Sequence, residues 1–329
     1  MTTDAGSTPA SVNGRGSNEH SANEHRPLRP LEWFLLVLPG TIWGSSFYFI
    51  AIALDDVSPG LITPLRIAIG FFTLALFPKS RQSLPATEWR KVVVLALVWL
   101  AIPLTAFPYA ELHVSSSVIG MLNGASPVFV ALVAIGMLRR LPPPMQRTGL
   151  LVGTAGVVLI ALPSLGRGSS SVFGVMLVLG ALVLYGFALN VAAPLQRRFG
   201  ALPVLWRAQG VALLCVLPLG IASLDESRFS WKAAGAVLVL GAFGTALAHY
   251  MMATLAGRIG STRASASLYL MPPVSLFLGV VLRGERLDVV SVIGSAVTVG
   301  GAWLLGRTPA ATASTPSASA PDASASARR

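Results

Sequence analysis

Long apolar runs alternate with short polar connections along most of this chain. Ten runs can be delimited, at residues 32–54, 59–78, 91–110, 114–138, 146–163, 172–192, 202–222, 233–255, 263–282 and 289–305. Each is about 20 residues long, which at a rise of about 1.5 Å per residue matches the roughly 30 Å hydrocarbon core of a bilayer. Hydrocarbon offers no partner to a backbone N–H or C=O, so each run is read as a helix that satisfies its own backbone. The pattern predicts an all-α integral membrane protein with ten transmembrane helices. The connections are short, which makes consecutive helices antiparallel neighbours in one bundle.

The runs divide into two sets of five that repeat one another. Pro127, Gly149 and Gly156 recur 145 residues later as Pro272, Gly294 and Gly301. Upstream, Trp43-Gly44, Arg66 and Tyr109 are echoed by Tyr185-Gly186, Arg207 and Tyr250 at offsets of 141 or 142. The one change of more than a single residue in the offset falls at a polar connection around Gly257-Arg258-Ile259-Gly260. Because five is odd, the second set enters the bilayer from the opposite side. Residues 32–163 and 164–307 are therefore expected to form two inverted five-helix repeats, with a site between them near the midplane.

Composition agrees: 53% of residues are hydrophobic and 11% charged, against about 25% charged in an average soluble domain. A net charge of +11 would point to nucleic acid in a soluble protein. Here the basic residues sit mostly in the short loops, so no nucleic-acid partner is expected and the lipid bilayer is the surrounding phase. Residues 1–31 are polar with no apolar stretch, which makes them a disordered N-tail rather than a cleavable signal. Residues 308–329 are almost entirely Ala, Ser, Thr and Pro and read as a disordered C-tail. Cys215, the sole cysteine, is expected to be a small core residue.

Lys and Arg in the short loops set the orientation. With the N-terminus in the cytoplasm, eleven fall inside and five outside, which predicts a multi-pass protein of the cytoplasmic membrane with both termini cytoplasmic. Equivalent loops agree: Arg139-Arg140 after the fourth run stands opposite Gly284-Glu285 after the ninth, an exchange of base for acid suited to loops on opposite faces.

Met271-Pro272-Pro273-Val274, the Gly284-Glu285-Arg286 turn, and Gly294 with Gly300-Gly301 resemble the end of an EamA domain. Trp43-Gly44-Ser45-Ser46, and Arg66 after Pro64, resemble its start. Two such domains in tandem resemble a ten-helix member of the drug/metabolite transporter superfamily. The likeness spans about residues 32–306 and marks Trp43, Gly44, Pro127, Pro272, Gly284, Glu285, Gly294 and Gly301 as motif positions with structural duties. The first half departs from it at Arg139-Arg140, where Gly-Glu would be expected.

Among individual residues Arg66 is the sharpest. It lies about seven residues into its run, roughly 10 Å deep, where an unpaired charge costs at least about 2.5 kcal/mol. It is read as a substrate or counter-ion ligand, against snorkelling or a bond to backbone carbonyls. Arg207, its repeat-mate, either joins it at an anionic or zwitterionic substrate or anchors at the interface beside Trp206. Tyr48, Asn123, Asn190 and Tyr250 are further substrate-binding candidates, each of which could instead bridge helices. His249 is the intramembrane candidate for proton coupling. Glu111 and His113 are expected at the outer interface, solvated. Gly40 with Gly44, and Gly149 with Gly153, have the small-xxx-small spacing of close helix packing.

No Gly-x-Ser-x-Gly elbow, His/Cys metal cluster or phosphate-cradling loop appears, so neither an enzyme nor a metal or cofactor is expected. The expected activity is secondary transport of a small molecule or drug by alternating access, with proton-driven efflux as the first choice. A lipid scramblase or membrane-embedded enzyme in the same cavity, and a non-transporting receptor, are the alternatives. Oligomeric state is open between monomer and homodimer.

Overall fold

The computed structural model describes residues 27–139 and 141–306. Most of both predicted tails, and Arg140 with its comparison to Glu285, lie outside those residues. All regular structure among the described residues is helical. In chain order the helices are α1 (Pro30–Ala53), α2 (Pro59–Ala75), α3 (Ala86–Glu111), α4 (Ser116–Asn123), α5 (Ser126–Leu138), α6 (Pro144–Leu165), α7 (Ser169–Phe199), α8 (Ala201–Ala222), α9 (Trp231–Ile259), α10 (Ser265–Arg283) and α11 (Val289–Leu305).

Seven of these are long and apolar enough to cross a membrane, or eight if α4 and α5, bent 46° apart at a short break, form one span. The other two, α2 and α11, are apolar but have 17 residues each, about 25 Å at helical rise. The interior is an apolar core that also holds buried polar groups such as Thr63, Arg66, Gln209 and Thr298, while Leu151, Met176, Leu214, Ile221 and other large apolar side chains face outward. In water such a surface would be untenable; in lipid it is the solvated one. Cys215 lies on this exposed surface rather than in the core, since its helical face turns away from the bundle.

Two helices depart from α-helical winding in their middles. α3 widens to a π-helix over Ala96–Ala101 and α9 over Val239–Leu247. In α3 the widening ends just before Pro103, which has no N–H to continue the ladder. π segments leave carbonyls less well satisfied within the helix and so free for outside donors.

Glycines determine how near the helices come. A Cβ on Gly156 would sit 2.7 Å from the Gly294 carbonyl oxygen, and one on Gly294 would sit 2.8 Å from the Gly156 carbonyl oxygen. Gly149 and Gly301 meet in the same reciprocal way, so α6 and α11 run antiparallel in backbone contact. The pattern extends outward: Gly44 packs on Val274, and Gly186 on Phe129, the two glycines being 142 residues apart and Phe129 and Val274 145 residues apart. Trp43 contacts the His249 ring as Tyr185 contacts that of Phe107, again with an offset of 142 on both sides.

The halves are not copies everywhere. α5 ends on Arg139 at φ 51° and α10 on Gly284 at φ 65°, equivalent positions in the left-handed region. Glycine adopts that conformation freely, whereas a side chain there costs about 1 kcal/mol. Glu285 then caps α4, accepting hydrogen bonds from the backbone N–H of Ser116 and Ser117, both at 3.0 Å, and from both hydroxyls. Pro272 fills the space over Gly124 at the α4–α5 bend, and Pro127 sits in the first turn of α5.

Neighbouring glycines of α11 should respond oppositely to the same change. A Cβ at Gly301 would fall 2.2 Å from the Gly153 nitrogen, whereas one at Gly300 meets nothing within 4 Å. Gly301→Ala should cost about 1–3 kcal/mol, and Gly300→Ala should be neutral or stabilising by up to about 1 kcal/mol. Thermal unfolding in detergent checks the order.

Candidate functional site

The π segment of α9 organises a buried polar cluster. Its Gly244 carbonyl accepts a hydrogen bond from Trp43 Nε1 of α1 at 3.0 Å, and its Thr245 carbonyl accepts one from Gln209 Nε2 of α8 at 3.0 Å. The Thr245 hydroxyl donates to the Leu240 carbonyl at 2.9 Å and accepts from Arg66 Nε of α2 at 2.8 Å. Arg66 is 6% exposed, and Thr245 and Gln209 are buried completely or nearly so.

Gly244 leaves room for the charge: a Cβ there would lie 3.5 Å from Arg66 Nη2 and 3.3 Å from Ser46 Oγ. The guanidinium also interacts electrostatically with Tyr185 of α7 and Glu111 at the end of α3. Beside it, the His249 ring meets the indoles of Trp43 at 5.1 Å and Trp99 at 5.6 Å, both edge-on. Helices α1, α3, α7, α8 and α9 thus bring hydroxyl, amide and aromatic groups around one cation on α2. Such a set can recognise an anion, with the indoles forming an apolar wall.

The other predicted residues lie elsewhere. Arg207 donates to the Ser80 and Pro203 carbonyls at 3.3 and 3.1 Å, and its guanidinium lies over Trp206. Asn190 bridges helices by donating to the Val130 carbonyl, and Asn123 receives the Ser126 hydroxyl at the α4–α5 break. Tyr250 stacks on Phe77, and Tyr48 packs edge-on against Phe49.

Glu111 corrects the sequence reading. Both carboxylate oxygens are shielded from solvent and neither has a hydrogen-bond partner, although Glu111 sits at the end of α3 and lines a pocket with Asp55, Arg283 and Glu285. His113 is partly buried and pairs with the Ser170 hydroxyl at 2.7 Å. Gln209, Thr245 and Trp99 were not singled out from sequence. Gln209 was detectable as the sole amide within the run 202–222.

At the Asp55 end, polar ties cross between the halves. Lys232 reaches Asp55 at 2.8 Å, Arg283 approaches it at 3.6 Å, and the Ser230 hydroxyl donates to Asp56. Within the second half, Arg167 pairs with Asp288. The Lys232 hydrogen bond holds the Asp55 carboxyl below the usual carboxylate range, with Arg283 assisting against a smaller desolvation effect.

The model of the EamA-like transporter family matches residues 31–162 and again 172–307. The chain belongs to that family. An uncharacterized transporter of Archaeoglobus fulgidus is 24% identical over 84% of this chain and 99% of its own length. A probable terminal-alkyne amino-acid exporter of Streptantibioticus cattleyicolor is 26% identical, covering 83% and 92%. The uncharacterized inner membrane transporter YedA of Escherichia coli K12 is 25% identical, covering 83% and 90%. A solved crystal structure matches with a TM-score of 0.55 at 18% identity, over 84% of this chain and 98% of that one, a likeness of fold. The protein is a multi-pass membrane transporter.

The ties at the Asp55 end carry a pH dependence of definite sign. A carboxyl lowered on folding stabilises above its unfolded value and loses that contribution as pH falls through the folded one. The stability difference between the native protein and Asp55→Asn should be constant around neutrality. It should shrink progressively as pH falls below about 4, as read by thermal unfolding across a pH series.

Proposed function

We propose that this EamA-family transporter is a ten-span secondary carrier that exports a small carboxylate-bearing metabolite by alternating access, drawing on a proton gradient. The carrying observation is Arg66, a cation held by Thr245 inside a lipid-solvated bundle. An intramembrane charge of this kind is retained for a ligand, counter-ion or pathway. Its surroundings of hydroxyl, amide and indole groups suit a carboxylate joined to an apolar body.

Paired contacts between α6 and α11, and the matching pairs Gly44–Val274 and Gly186–Phe129, support an inverted-repeat reading. In that reading α2, α11 and the bent α4–α5 unit each complete a span, giving ten. Rocking of one half against the other would expose the Arg66 cluster to each face in turn. The loop charges support cytoplasmic termini. The amino-acid exporter among the relatives supports an amino-acid-like substrate, and the family membership supports transport over scrambling or catalysis.

Comparing metabolites inside and outside cells with and without the protein tests substrate and direction together. Counterflow of the identified compound in proteoliposomes should fall at least tenfold in Arg66→Ala, the effect of about 1.4 kcal/mol of lost binding. No counterflow across a broad metabolite panel, with no effect of Arg66→Ala in cells, would sink the proposal.

A further inference from the structure

Glu111 is the buried ionisable group that the Arg66 cluster leaves unexplained. Its two oxygens are shielded and lack hydrogen-bond partners, a condition a carboxylate tolerates poorly and a protonated carboxyl tolerates better. It also lines a pocket of about 160 Å³ with Leu54, Asp55, Arg283 and Glu285 at the loop end predicted to face outward. A polar-lined opening of that size admits water.

The charged groups around it oppose one another. Arg66 of α2 and Arg283 at the end of α10 are cations, and Glu285 in the following turn is an acid. Asp55 shares the pocket, Tyr185 of α7 faces Arg66, and His113 two residues on is occupied by Ser170. Glu285 is committed to capping α4, and Arg283 also approaches Asp55. Arg66 is the neighbour on the substrate side. His249 is a weaker proton carrier, because the indoles of Trp43 and Trp99 enclose its ring.

We propose that Glu111 is the protonatable carboxyl of the transport cycle, reached by protons through the Asp55-end pocket and electrostatically linked to Arg66. This rests on the transport reading above. Deprotonation leaves a carboxylate facing Arg66 and passes the proton to pocket water; protonation frees the guanidinium for a substrate anion. The charge of Glu111 thereby adjusts the grip of Arg66 without direct contact with the substrate.

The test needs no substrate. The full chain in lipid nanodiscs is treated with dicyclohexylcarbodiimide, which modifies protonated carboxyls in apolar surroundings, and adducts are located by peptide mass spectrometry. Glu111 should be labelled in the native protein, with labelling falling as pH rises, and Glu111→Gln should carry no adduct there. Arg66→Gln removes the favouring charge, so its labelling should persist to higher pH; Arg66→Lys should restore the native profile. Absence of label at Glu111, or a profile flat with pH in the native protein, overturns the proposal even if Arg66→Gln fails to fold. An unchanged profile in a folded Arg66→Gln protein also overturns it. Because labelling is independent of counterflow, failure here is distinguishable from failure of the transport reading.

Discussion

A guanidinium enclosed by a bundle whose outer solvent is lipid must find its partners within the protein, and the centre of this structure is arranged around that need. Arg66 donates a hydrogen bond to the Thr245 hydroxyl, which lies in the segment where α9 loosens to a π-helix. The same loosening presents the Gly244 and Thr245 carbonyls to Trp43 and Gln209. Three helices are thereby stitched to a fourth by polar bonds whose alternative is unsatisfied groups in a low-dielectric interior.

Close packing makes this polarity affordable. Apolar burial cannot discriminate strongly between helix–helix and helix–lipid contact, so association depends on shape and on small residues that let backbones approach. Gly149 and Gly156 against Gly301 and Gly294 supply that shape between α6 and α11. Where the two halves differ, the differences are chemical. Gly284 relaxes a left-handed turn that Arg139 must strain to adopt, and the following Glu285 caps α4. Trp43 meets a histidine where Tyr185 meets a phenylalanine.

Seven long helices and the tandem order of two family domains were readable from the apolar runs and recurring motifs, whereas the run 114–138 breaks into α4 and α5, and α2 and α11 have only 17 residues each. Bilayer thickness and backbone satisfaction leave few other ways to arrange 20 apolar residues. Limits shifted where the chain could extend without leaving the helix, as in α7, which continues through Pro194 to Phe199. Arg66 was legible because a lone charge in an apolar run is conspicuous. Its partners Thr245 and Gln209 were not, since a threonine or glutamine in such a run reads equally as packing. Glu111 was placed in solvent because it ends an apolar run, although its carboxylate turns inward.

By itself the sequence determined that the chain is a helical membrane protein built twice over, since hydrophobic length and recurring glycines and prolines are one-dimensional properties. Only the tertiary structure decided which polar side chains meet. Successive residues rotate by about 100° around a helix, so a small change in winding redirects everything that follows. The π segments of α3 and α9 are such changes, and no regular period could have carried Thr245 to Arg66, or turned His249 between two indoles, in advance of the fold.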